Sequence, residues 1–167
     1  MIETQRCLLD EIHESDYENV KELYLNTEVR KYLGGPRKEE TIREVLNDML
    51  RPNENCWYWI VREKQTKEFM GIVSLDPHHI GNDIEVSYQL LPGWWGAGYA
   101  TEAVQEIINY AFDELKLSRV IAVTQLANIP SRNLLKRLHM ELEQTYQRFG
   151  AEQGVYSIEV KKVNEIE

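Results

Sequence analysis

Cysteine is scarce in this chain. Cys7 and Cys56 stand far apart, and neither has a second cysteine or a histidine at ligand spacing. That excludes a disulfide framework and a zinc site, so no metal is expected. Basic charge is in deficit too, with 19 Lys and Arg against 28 Asp and Glu and a formal net charge of −9. A nucleic-acid binder would show the opposite balance. An acidic surface favours cationic partners, and it also serves solubility alone. Long apolar runs are missing. None approaches the ~18 residues needed to cross a bilayer, and the opening Met1-Ile2-Glu3-Thr4-Gln5-Arg6 has no apolar signal core. The expectation is a cytoplasmic protein with reduced thiols, no membrane partner and no nucleic acid. Internal repeats, low-complexity tracts and Pro/Gly/Ser linkers are absent as well, which points to one domain over 1–167. A chain of 167 residues with 43% apolar side chains buries roughly 70% of its extended surface. It needs no metal or disulfide to fold.

What is present is a sequence of clear periods. Leu8-Leu9 reads as a short strand. Ser15-Asp16-Tyr17-Glu18 has the spacing of a capping box, and Val20, Leu23 and Tyr24 continue a helical stripe. Gly34-Gly35-Pro36 is expected to stop that helix. Ile42, Val45, Leu46, Met49 and Leu50 mark a second helix. The period then shortens: Trp57–Val61 and Phe69–Val73 form a hairpin around Lys64–Lys67. Gly81-Asn82-Asp83 turns into a third strand, Ile84–Leu90. A long helix carries Ala100, Ala103, Val104, Ile107, Ile108, Ala111 and Leu115 on one face. Val120–Thr124 is a buried strand, Pro130 opens a short helix with Leu134, Leu135 and Leu138, and two strands follow near Leu142–Arg148 and Val155–Val160. The order β-α-α-β-β-β-α-β-α-β-β predicts an α+β domain built on a mixed sheet.

The stretch between the third strand and the long helix carries chemistry. In Leu90-Leu91-Pro92-Gly93-Trp94-Trp95-Gly96-Ala97-Gly98-Tyr99-Ala100-Thr101, Pro92 and Gly93 end the strand. Gly96 and Gly98 permit a tight turn of exposed N–H groups at a helix N-terminus, a site suited to phosphate or diphosphate. A P-loop is excluded, because Tyr99-Ala100 follows Gly98 where Lys-Ser/Thr would be required. A dinucleotide fingerprint is excluded by Thr101 at the third small position and Ser118 where an acid would be expected.

Trp95-Gly96-Ala97-Gly98-Tyr99-Ala100 resembles the acyl-CoA motif of the GNAT acetyltransferases, Arg/Gln-x-x-Gly-x-Gly/Ala, with Trp95 where Arg or Gln is usual. Continued through Thr101-Glu102-Ala103, it is similar to the Rim-type branch, which acetylates N-termini of ribosomal proteins. Glu85-Val86-Ser87-Tyr88-Gln89-Leu90 is similar to the strand that precedes the motif in these enzymes. Ala127-Asn128-Ile129-Pro130-Ser131 is similar to their Ala-Asn-x-x-Ser segment, and Arg137-Leu138-His139-Met140 stands where Lys-Leu-Gly-Phe is usual. The resemblance implies a GNAT fold, a mixed and mostly antiparallel sheet of about seven strands flanked by about four helices. It implies an N-acetyltransferase that uses acetyl-CoA as cosubstrate and a primary amine as acceptor, either a protein N-terminus or a small molecule, and it leaves a homodimer open. A non-catalytic acyl-CoA sensor would share the glycine turn; Glu85, Asn128 and Ser131 together argue against that alternative.

On this resemblance the cofactor-binding residues are Leu90, Leu91, Trp95, Gly96, Ala97, Gly98, Tyr99, Ala100, Thr101, Asn128 and Ser131. A free N–H near Leu91, where the strand splays, is expected to face the reacting carbonyl. Glu85 is the first candidate for the general base, acting through water. His78 and His79 have a suitable ordinary pKa but read as surface-turn residues. Leu135 falls where many relatives carry a tyrosine acid, so Ser131 is expected to hydrogen-bond the sulfur, unless it serves as a helix cap. Arg132 and Lys136 face two readings, contact with the 3′-phosphate or plain solvation. Gln147–Gly150 holds no acid, which counts against an N-terminal peptide as acceptor. Trp57, Tyr58 and Trp59 are expected in the core.

Overall fold

The computed structural model describes residues 1–51 and 53–160. Eight strands form one sheet: β1 (Ile2–Glu3), β2 (Cys7–Glu11), β3 (Trp57–Glu63), β4 (Phe69–Pro77), β5 (Ile84–Leu90), β6 (Arg119–Gln125), β7 (Glu141–Arg148) and β8 (Ala151–Glu159). Their spatial order is β1-β2-β3-β4-β5-β6-β8-β7. The helices are α1 (Tyr17–Leu25), α2 (Thr27–Arg30), α3 (Ile42–Leu50), α4 (Tyr99–Asp113) and α5 (Ile129–Arg137). The expected seven strands and four helices gain the two-residue β1 and the single-turn α2.

Two local expectations are corrected. The chain enters α1 through a 3₁₀ turn, Glu14–Asp16, so Ser15 lies inside the turn. The N–H donated to a side chain there is that of His13, accepted by Asp16 Oδ2 at 2.8 Å. Helix α1 also ends earlier than Gly34. Asn26 turns extended and its side chain accepts from Val29 N–H at 2.9 Å, because a short amide competes well with the helical ladder.

The strand period of two puts alternate residues on opposite faces. Val73, Leu75, Val86 and Leu90 pack with Val104 and Ile107 of α4 on one face. Ile60 and Ile72 pack with Leu23 of α1 and Leu46 of α3 on the other. Each fully buried side chain of this size contributes about 1.5–3 kcal/mol, and helices on both faces fix which side of every strand is which.

One junction is parallel. β5 and β6 are joined through α4, and their only paired register is Glu85↔Ile121. Past that point β5 runs on to Leu90 beside β4 alone, which opens a gap toward β6. β4 holds β5 closely there: a Cβ at Gly71 would lie 2.0 Å from the Gln89 carbonyl oxygen, so only glycine permits that approach.

Candidate active site

Gly96 and Gly98 take positive φ, 81° and 82°, which bends the chain from β5 into α4. The first turn of α4 has no side-chain cap. Its leading N–H groups lack intrahelical partners, and Glu102, the acidic side chain at this positive end of the helix dipole, is paired with Arg6. The turn is braced from outside the ligand face. Trp95 Nε1 donates to Leu90 O at 2.8 Å. Arg6 donates through Nη1 to Ala97 O at 2.9 Å and through Nε to Glu102 Oε1 at 2.8 Å, and its guanidinium stacks 4.0 Å from the Tyr99 ring centre. Burial pushes the Glu102 carboxyl up, yet the hydrogen bonds from Thr4 and Arg6 outweigh it and hold the group below the usual range.

A cavity of about 1160 Å³ runs from this turn, across the β5–β6 gap, to the side covered by α1 and α3. Every expected site residue lines it except Leu91 and Ala97. The Ala97 carbonyl is taken by Arg6. The Leu91 N–H donates to Met70 O at 2.8 Å, so it is not the free donor expected. The antiparallel ladder alternates, and since residue 91 faces β4, the N–H groups of Leu90 and Tyr88 face the gap. The expected donor moves by one residue.

β5 divides the cavity. Glu85, Ser87 and Gln89 lie on the face toward α1 and α3; Tyr88 and Leu90 lie on the face toward α4 and α5. Glu85 is turned into the protein, its side chain 21% exposed, with Oε1 2.8 Å from His78 Nδ1. His78 is buried, not the surface-turn residue expected, whereas His79 is exposed and accepts from Arg148 at 2.7 Å. Burial, then His78 and Arg148, push the His79 imidazole below its usual range. Asp76 stands opposite Glu85 in the ladder and lines the same end of the cavity. Burial, reinforced by Glu85, raises its carboxyl to about 6. Tyr58 also lines this end, where a core position was expected, while Trp59 is buried.

On the other face, Asn128 caps α5, its Oδ1 accepting from Ser131 N–H at 3.3 Å. The cap is thus Asn128, and the Ser131 hydroxyl is left to hydrogen-bond Tyr88 Oη. Leu135 is fully buried. Arg132 donates to Tyr156 Oη at 3.0 Å and Leu126 O at 3.2 Å; it and Lys136 stand outside the cavity, whereas Arg137 lines it beside Thr101. Tyr88, Asp76 and Arg137 line the cavity without being marked as site residues by the motifs. The signal for Tyr88 was its spacing from Glu85, odd, which places the two on opposite faces.

Residues 6–141 match the family model of the acetyltransferase (GNAT) domain. The chain belongs to the GNAT acetyltransferases. It is 30% identical over 143 residues to the uncharacterized N-acetyltransferase YnaD of Bacillus subtilis (strain 168), covering 85% of this chain and 83% of that protein. The crystal structure of a GNAT-family acetyltransferase from Bacillus anthracis matches with a TM-score of 0.83 and 25% identity, over 95% of this chain and 97% of that one. The ribosomal-protein-S5-alanine acetyltransferase of Vibrio fischeri shares the fold, with a TM-score of 0.78 and 17% identity over 95% of each chain. This GNAT protein is therefore an N-acetyltransferase, of a family whose members use acetyl-CoA. His139 stands where the family motif has Gly, and it takes a left-handed conformation, φ 65°; Met140 fills the core where Phe is usual. Among the described residues no helix is long and apolar enough to cross a membrane.

Proposed function

We propose that this GNAT enzyme transfers the acetyl group of acetyl-CoA directly to a cationic primary amine, with Glu85 as the general base and Ser131 at the sulfur. The observation that carries this reading is the placement of those two groups on opposite faces of β5, either side of the gap beside β6. Acetyl-CoA supplies an acyl carbon already activated for attack by nitrogen. The uncapped first turn of α4 fits its diphosphate, since the N–H groups of Tyr99, Ala100 and Thr101 are unpaired within the helix. Arg137, at the same end of the cavity, adds positive charge near the phosphates.

The Leu90 N–H faces the gap and donates to the carbonyl oxygen as it gains charge. Glu85, held by His78, accepts the proton that the ammonium must lose. Asp76 adds a second carboxylate that attracts the cationic acceptor. No thiol nucleophile is available: burial pushes both Cys7 and Cys56 up, and neither lines the cavity.

The test is thiol release by the purified protein with acetyl-CoA and, separately, N-terminal peptides, polyamines and aminoglycosides. Amine-dependent release without an acetylated protein intermediate is expected. CoA should also bind far more tightly than ATP or NAD by calorimetry. CoA binding without release of thiol to any amine would instead mark a non-catalytic sensor.

A further inference from the structure

We propose that Tyr88 is a positioning residue for thiol departure: its hydroxyl donates to Ser131 Oγ and thereby aims the serine proton at the sulfur of CoA. The inference rests on the function proposed above and extends it. Ser131 has no capping duty, because Asn128 already accepts its main-chain N–H. A lone serine hydroxyl rotates freely and offers two acceptor lone pairs. With Tyr88 Oη bonded to it, one of those lone pairs is occupied and the serine proton is left for an acceptor in the cavity. The phenol is the better donor of the two, since tyrosine titrates near ~10 in water while a serine hydroxyl does not titrate in the accessible range. The polarity is therefore Tyr88 to Ser131 to sulfur. Leu135, buried in the core, leaves no tyrosine on α5 for this work, and β5 supplies one from the opposite wall.

The pair gives a hydrogen bond and keeps its protons. Burial pushes the Tyr88 hydroxyl up to about 12, a weaker acid than a thiol at ~8.5. The nitrogen–carbon bond forms, the carbon–sulfur bond breaks, and the electron pair stays on sulfur, which accepts the Ser131 hydrogen bond. The ammonium gives its first proton to Glu85, which releases it to solvent; the second leaves nitrogen as the carbon–sulfur bond breaks and passes through water to the departing thiolate.

The experiment needs no acceptor amine. The thiol of CoA bound to the enzyme is titrated by its thiolate absorbance in wild type, Tyr88→Phe, Ser131→Ala and the double variant. Donors on the thiolate lower its pKa, so Ser131→Ala should raise the titration midpoint by about one pH unit and Tyr88→Phe by roughly half a unit to one. The double variant should match Ser131→Ala alone, because Tyr88 acts only through the serine. Ser131→Thr, which keeps the hydroxyl, should retain most of the wild-type value. CoA affinity within about threefold of wild type in each variant separates this role from a structural one. An unchanged midpoint in Tyr88→Phe, or a shift that persists when Ser131 is alanine, overturns the proposal. Should Tyr88→Phe lose CoA altogether, an unmoved midpoint in Ser131→Ala overturns it equally. Failure of wild-type protein to bind CoA would instead sink the function on which it rests.

Discussion

Glu85 and Asp76 face each other across β4 and β5, yet they carry different expectations. If Glu85 accepts the amine proton, kcat/KM rises with pH along one ionisation. General-base assistance is worth about 10²- to 10⁴-fold, so Glu85→Gln should cost at least about tenfold near neutral pH and remove or displace that limb. A pH profile identical to wild type would reject the assignment and turn attention to His78. Asp76 bears on stability. Its folded-state pKa, about 6, lies above its ordinary value of 3.8, so the folded state favours the protonated form. That contribution is fully present below pH 3.8 and is lost as pH rises through 6. Asp76→Asn should therefore stabilise the protein at pH 7 to 8 by about 1–2 kcal/mol, after allowing for solvent screening, and leave it unchanged near pH 3.5. Thermal melts at the two pH values decide it. At this scale the sequence reveals residue types and withholds partners. Glu85 was legible through the motif around it. The Tyr88–Ser131 pair was not, because 43 residues separate its members and only the meeting of β5 with α5 joins them. The cap of α5 stayed open between two residues for a related reason: Asn128 and Ser131 are both good N-cap types, and only backbone geometry chooses between them.

Among the elements, those with an unbroken period were the most legible. Ile84–Leu90 and Ile42–Leu50 appear where alternation and the helical stripe put them. The end of α1 was obscured, because Asn26 breaks the helix through its own side chain while Gly34 and Gly35 advertise a stop further on. The cofactor turn depends on a neighbour that its own sequence does not mention. Arg6 of the β1–β2 connection ties down Ala97 O and Glu102, so Arg6→Ala should loosen the turn and weaken CoA binding by roughly tenfold, since a charge-assisted contact is worth about 1.5–3 kcal/mol. Calorimetry against CoA measures it; an unaltered affinity would show the turn to be rigid on its own. Gly71→Ala tests the neighbouring contact. Its methyl group meets the Gln89 carbonyl, and relief by overpacking shifts costs about 1–3 kcal/mol, here together with displacement of the Leu90 N–H. Both Tm and kcat should fall.

Over the whole molecule, the net charge of −9 and the carboxylates at the acceptor end of the cavity act together. If the acceptor is the proposed cationic amine, it is drawn in at long range, and added salt screens the attraction beyond a Debye length of about 10 Å at 0.1 M. KM for a polycationic acceptor should rise several-fold between about 20 mM and 200 mM salt while KM for acetyl-CoA, an anion that the net negative charge repels, should fall or stay level. Parallel rises in both would remove the electrostatic argument for a cationic acceptor. The architecture at this scale was legible because three ordered motifs and the order of strands and helices agree, and local and global preferences that agree are what a foldable sequence shows.

The clamp between Arg6 and Glu102 also bears on the order of events during synthesis. The two residues are 96 positions apart, and a ribosome adds about 5–20 residues per second. The arm that braces the nucleotide turn is therefore made roughly 5 to 20 seconds before the helix it will hold. During that interval β2 has no α4 to pack against and Arg6 has no carboxylate. A nascent chain arrested before Glu102 would carry β1–β5 and α1–α3 but neither α4 nor α5, and binding assays on stalled chains of increasing length should show CoA bound only after both helices have emerged.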